Sequence, residues 1–156
     1  MTSSDGIHCF LPCRKGSERV PRKNIRPFAG NSFGLVEVKL RQLLSARRVD
    51  SVFLSTNDAD ILEFARGLKE ERLVLHHRSD ALSSSSTSTD QLVAHALDLI
   101  KEGHILWTHV TSPFVTGPIY DEMIAAYRTA LAEGYDSLMA TTLIHGFLWD
   151  RNGPIN

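Results

Sequence analysis

Residues 7–30 read IHCFLPCRKGSERVPRKNIRPFAG, a short apolar run that passes directly into a strongly basic loop. Ile7 to Leu11 has the length and composition of a buried strand. Beyond it come Arg14, Lys15, Arg19, Arg22, Lys23 and Arg26, punctuated by Pro12, Pro21 and Pro27. Six cations in one loop repel one another unless water or a polyanion separates them. Gly16 lets backbone amides approach a ligand closely, Ser17 beside it is small, and the prolines lower the entropy lost when the loop orders. Such a loop suits a triphosphate gripped by N–H groups and cationic side chains. A solvated basic surface is the plainer alternative.

Outward from this stretch, strand-like and helix-like segments alternate. Phe33–Ala46 is predicted helical, with Phe33, Val36, Leu40, Leu43 and Leu44 on one stripe. Val52–Ser55 reads as a strand, after which Asn57 or Asp58 caps a helix through about Arg66. Leu73–Leu75 is a third strand, followed by a Ser/Thr-rich loop and a helix near Asp90–Lys101 with Leu92, Val93, Ala96, Leu97 and Ile100 inward. Ile105–Val110 is a strand, Ile119–Ala132 a helix using Ile119, Met123, Ala126, Tyr127 and Ala130, and Ser137–Leu143 a last clear strand. Trp149–Gly153 reads as a strand entering a turn, with no partner strand after it. Strands separated by single helices imply βαβ units: an α/β fold of three layers with a mostly parallel sheet. Ligands of such sheets bind outside the carboxyl ends of the strands. The basic loop, the His76–Thr89 loop and Thr111-Ser112-Pro113 each follow a strand.

Composition narrows the function. The 156 residues fit one domain, 1–156, with 42% hydrophobic and 22% charged residues, ordinary for a globular protein. A net charge of −1 leaves no general electrostatic case for nucleic acid, so the basic loop points to a small anion. No apolar run approaches the ~20 residues of a membrane span, and Met1 to Gly6 does not read as a signal peptide; no membrane partner and a cytoplasmic location are the expectations. Cys9 and Cys13 are read as buried thiols. His76 and His77, as neighbours in an extended segment, point opposite ways and make poor co-ligands.

The motifs together resemble the N-terminal portion of the acylneuraminate cytidylyltransferases, the CMP-sialic acid synthetases. That family's Pro-Ala-Arg, its Gly/Ser-rich basic loop and its Pro-x-Lys-Asn are matched by Pro12-Cys13-Arg14, Lys15-Gly16-Ser17 and Pro21-Arg22-Lys23-Asn24. Ser55-Thr56-Asn57-Asp58, the Arg78 to Thr89 segment and Thr111-Ser112-Pro113 follow in the family's order. Cys13 replaces the usual Ala, Ser17-Glu18-Arg19 stands where Ser-Lys-Gly is common, and His109 stands where Gln is usual.

The resemblance implies a Rossmann-like nucleotide-diphospho-sugar transferase fold and transfer of CMP from CTP to an acidic 2-keto sugar such as N-acetylneuraminate. Related acceptors are Kdo, pseudaminic and legionaminic acid. A nucleotide-binding module without catalysis is the alternative from another class. Arg14 and Lys23 are the implied catalytic charges. Arg14, Gly16, Ser17, Lys23, Asn24, Arg78, Ser88 and Thr89 are the implied nucleotide contacts, and His109 and Thr111 border the sugar acid. A homodimer is implied, as is Mg²⁺ held by an Asp-x-Asp pair beyond Asn156, so no metal ligand is expected within this chain, which reads as cut short at its C-terminus. Asp58-Ala59-Asp60 fits a helix N-terminus better than a metal site.

Overall fold

The computed structural model describes residues 5–16, 20–84, 86–143, 146 and 148–155. Ser17 and Arg19 lie outside the described residues. The chain divides into two compact units, Met1–Ile124 and Ala125–Asn156.

The first unit is built on four strands: β1 (Ile7–Cys13), β2 (Ser51–Thr56), β3 (Leu73–His77) and β4 (His104–Trp107). Helices α1 (Gly34–Ser45), α2 (Ala59–Gly67) and α3 (Thr89–Leu99) connect them in turn, and α4 (Gly117–Ala132) begins in this unit. All pairings are parallel and the order is β3-β2-β1-β4. The chain winds outward from β1 to β3 and then returns to lay β4 on the other side of β1. The switch point therefore lies between β1 and β4.

β1 is central and is buried on both faces, as a parallel strand should be. Phe10 points to one face, where it packs with Ala96 and Ile100 and with Phe53, Leu99, Ile105 and Trp107. Burial of such an aromatic contributes about 1.5–3 kcal/mol. Val36, Leu40 and Leu43 of α1 are also fully buried. Both cysteines lie on β1 as free buried thiols, with the strand continuing through Pro12.

Pro12 shapes the sheet. The last bond of the β1–β4 ladder runs from Thr108 N to Phe10 O at 3.3 Å, and β4 register ends at Phe10↔Trp107. The next bond of a parallel ladder would be donated by the N–H of residue 12, which proline lacks. This is why β4 stops at Trp107 and not at Val110. β1 meanwhile continues its register with β2 to Cys13↔Thr56.

Other expectations are corrected. Ser137–Leu143 forms no strand: these residues are exposed and no described strand takes up their backbone groups. Trp149 does have a partner, because β5 (Trp149–Asp150) pairs antiparallel with β6 (Gly153–Pro154). Asp150 Oδ1 accepts from Asn152 N at 2.7 Å and Gly153 N at 3.1 Å, the local turn that aspartate favours. On α3 the inward residues are Leu92, Ala96, Leu99 and Ile100 just beyond its end, while Val93 and Leu97 face solvent. On α4 it is Tyr120 and Ile124 that are buried, one residue round from the predicted stripe.

Gly34, at φ +61°, opens α1, and a Cβ there would lie 2.1 Å from Arg26 O. The basic loop thus rests against the helix that follows it. Gly34→Ala should destabilise the chain by about 2 kcal/mol or more, combining the left-handed backbone cost with the clash. Urea unfolding checks this, and a change under about 0.5 kcal/mol would contradict it.

Candidate functional site

The loops after β1, β2 and β3 are stitched together by one side chain. Asn57 Oδ1 accepts from Lys15 N at 2.9 Å, and Asn57 Nδ2 donates to Asp80 Oδ1 at 2.9 Å. Asp58 beside it caps α2, its Oδ1 accepting from Asp60 N at 3.1 Å. The basic loop is held from within as well. Asn24 Nδ2 donates to Arg14 O at 3.1 Å, and Val36 N in the first turn of α1 donates to Asn24 O at 2.9 Å.

A cavity of about 380 Å³ opens here, lined by Arg14, Lys15, Gly16, Arg22, Asn24 and Asp58 among others. Gly16 has φ +79°, and no described residue comes within 4 Å of a Cβ position there. Arg14 and Lys23 are half-buried, and Arg26 is exposed. Arg22, also exposed, reaches Asp60 Oδ2 at 3.3 Å, a surface pair of little energetic weight. A larger hollow of about 500 Å³ is walled by Phe33, Phe64 and Leu68 and offers no cation.

Arg78 is the unusual residue. It follows β3, is only 2% exposed, and donates from Nε to Ser83 Oγ at 3.0 Å. Its Nη1 is buried with no hydrogen-bond partner among the described residues. Asp80, two residues further on, accepts from Asn57. Burial lowers the pKa of the guanidinium; Cys13 opposes that shift and the like charge of Arg14 adds to it. A buried charged donor left unmet costs at least about 1–3 kcal/mol, which an anion in the site would offset. The register sets Cys13 beside Thr56 and Thr56 beside His77, so Arg14 and Arg78 each follow the carboxyl end of a strand that flanks β2.

Behind Arg78 lies an imidazole pair. His95 of α3 meets Ser55 Oγ at 3.0 Å through Nε2, and the His76 and His95 rings are 4.9 Å apart. Burial first, and then the Arg78 charge among others, lowers the pKa of both. Neither ring competes with the arginines for an anion at neutral pH.

Ser88 is the N-cap of α3. Its Oγ accepts from Gln91 N at 3.2 Å while Gln91 Oε1 accepts from Ser88 N at 2.9 Å, a complete capping box. Thr89 is exposed on the first turn. Past β4, Thr111 is exposed, and Trp107 Nε1 donates to His109 Nε2 at 3.0 Å. That bond leaves the His109 proton on Nδ1, and burial lowers its pKa, so His109 stays neutral near pH 7.

The cytidylyltransferase family model matches residues 8–145. The chain belongs to the cytidylyltransferase family. It is 30% identical over 136 residues to a pseudaminic acid cytidylyltransferase of Campylobacter jejuni, covering 86% of this chain and 57% of that protein. It is 27% identical over 147 residues to an N-acylneuraminate cytidylyltransferase of Oncorhynchus mykiss, covering 93% and 32%. The chain thus spans little more than half the length of the first relative and a third of the second. Among solved structures it resembles a CMP:2-keto-3-deoxy-manno-octonic acid synthetase complexed with CTP, at TM-score 0.65 and 16% identity, over 82% of this chain and 49% of that one. The fold expected from the resemblance is the one found.

Among the described residues the carboxylates do not gather into a cluster that could hold a magnesium ion. Asp58 is spent on its helix cap and Asp60 on Arg22, and among the described residues no three His, Cys, Asp or Glu side chains converge. The cavity sets the cations Arg14, Lys15 and Arg22 beside the carboxylates Asp58 and Asp60. Sequence reading missed Asn57 as the stitch between loops and His95 as the partner of His76. The spacing Leu92, His95, Ala96, Leu99 does place His95 on the buried stripe of α3.

Because His76 and His95 have folded pKa values below their ordinary 6.5, the unfolded chain binds more protons just under that pH. Stability should therefore hold above about pH 6.5 and fall as the pH drops below it. Denaturation at about pH 7.5 and about pH 5.5 checks this. The His76→Gln, His95→Gln double variant should lose less on acidification; an equal loss would assign the effect to other groups.

Proposed function

We propose that this chain forms the nucleotide-gripping part of a cytidylyltransferase that transfers CMP from CTP to an acidic 2-keto sugar. The observation that carries the reading is the buried Arg78, whose Nη1 has no partner among the described residues, leaving β3 beside β2 as Arg14 leaves β1 on its other side. Family membership supports the choice of CTP, and the names of the two relatives support a nonulosonic acid, pseudaminic or N-acylneuraminic, as acceptor.

In this reading the anomeric hydroxyl of the sugar acid attacks the α-phosphorus of CTP. The new oxygen–phosphorus bond forms as the bond to the bridging oxygen breaks, pyrophosphate leaves with that electron pair, and the hydroxyl proton is lost. Arg14, Lys23 and the amides around Gly16 meet the phosphate charge, Arg78 meets an oxygen of the nucleotide, and Asn24 holds the loop in shape. Interactions of this kind are fixed before the reaction and act where charge develops. His109, as a neutral Nδ1–H donor, and Thr111 would offer hydrogen bonds to the acceptor.

Calorimetric titration with CTP, UTP, ATP and GTP tests the proposal, with CTP expected to bind best. Arg14→Ala and Arg78→Met should each weaken CTP by about 1.5–3 kcal/mol, the range for hydrogen bonds to charged groups. Arg26→Ala should change it by no more than about 0.5 kcal/mol, as for an exposed surface charge. No CTP preference, or equal effects at all three positions, would refute the assignment.

A further inference from the structure

Lys39 is a buried ammonium that the nucleotide site does not use. It sits in the second turn of α1 with zero exposure, and none of its hydrogen-bond partners is a carboxylate. Its Nζ donates to Ser112 O at 2.7 Å, Val115 O at 3.1 Å and Tyr120 Oη at 2.9 Å. Three donors meet three acceptors, so the charge is fully coordinated by neutral oxygens. Tyr120 Oη in turn lies 2.7 Å from Thr108 Oγ1. One turn further along α1, Gln42 Nε2 donates to Pro113 O at 2.7 Å. Three carbonyls of the 112–115 loop are thereby tied to a helix whose first turn holds Asn24 of the basic loop. An apolar side chain would fill the same volume without the cost of desolvating a charge. What only a lysine of this length supplies is a grip on several carbonyls at once.

We propose that Lys39 is a positioning residue, fixing the Ser112–Val115 loop, and with it Thr111 and His109, in register with the nucleotide loop. The acceptor role of that loop rests on the function proposed above, but the tether itself does not.

The groups facing Lys39 are Cys9 of β1 and Tyr120 of α4. Burial lowers the lysine pKa to about 8, with Cys9 acting the other way. Burial raises Tyr120 to about 12 and pushes Cys9 up as well. His109, on the tethered segment, is shifted downward from 6.5. Between pH 7 and 9, then, Lys39 is the member of this cluster that titrates.

The experiment is an NMR pH titration of the whole chain, following the Lys39 side chain and the amides of Ser112, Val115 and Thr116. All should move with one midpoint well below the ordinary 10.5 of lysine. In Lys39→Met that transition should vanish, and amide hydrogen exchange at 112–116 should quicken by about tenfold or more. CTP affinity of the variant should stay within about threefold of the parent. Loop amides that ignore the Lys39 titration, or unchanged exchange in a folded Lys39→Met, would overturn the proposal. Should that variant fail to fold, Tyr120→Phe decides. Losing one acceptor must lower the Lys39 midpoint and shift the loop amides with it, and no movement would count against the tether. A parent chain that binds no CTP would refute the function above while leaving the tether to be judged on the titration alone.

Discussion

The parting of β1 and β4 at Pro12 is the constraint that sends the chain beyond the two strands in different directions. A parallel ladder continues only while each strand can supply alternate N–H donors, and proline withdraws one at the end of the central strand. β4 therefore leaves the sheet after Trp107, while β1 keeps its pairing with β2 to Cys13. The two strands part where the strand order reverses, and the cavity that Arg14 lines lies among the loops after β1 and β2. Chain departing on one side becomes the basic loop. Chain departing on the other becomes the His109–Val115 segment.

Two buried cations show how the same residue class serves different ends. Lys39 has every donor met by a neutral oxygen and ties helix to loop. Arg78, just past the end of β3, has one donor without a partner among the described residues. A fully satisfied buried charge holds a conformation, whereas an unsatisfied one favours a ligand that completes it. The histidines behind Arg78 follow the same logic. Kept neutral by burial, they add no charge near Arg78.

Much of this was legible in the sequence because it is written in local signals. The alternation of apolar runs and amphipathic stretches gave the βαβ order, and Asp58 announced its cap. The basic loop marked the candidate site because cations at that density call for an anion. What was not legible depends on tertiary partners. Ser137–Leu143 has strand-like composition but no neighbour to pair with, and the α3 and α4 stripes were set by contacts that shift the buried arc by a residue. Trp149 acquired a partner through the Asp150 turn. The depth of Arg78 and the clamp of Lys39 join positions more than seventy residues apart in the latter case, and no local pattern encodes them.

In the function proposed, Arg78, through Nη1, and the loop beginning at Arg14 together bind one nucleoside triphosphate. A crystal structure of the chain with CTP tests it most directly. The account predicts a nucleotide oxygen on Arg78 Nη1, with phosphates on Arg14 and the amides near Gly16. A nucleotide bound elsewhere, with Arg78 Nη1 still unpaired, would contradict it.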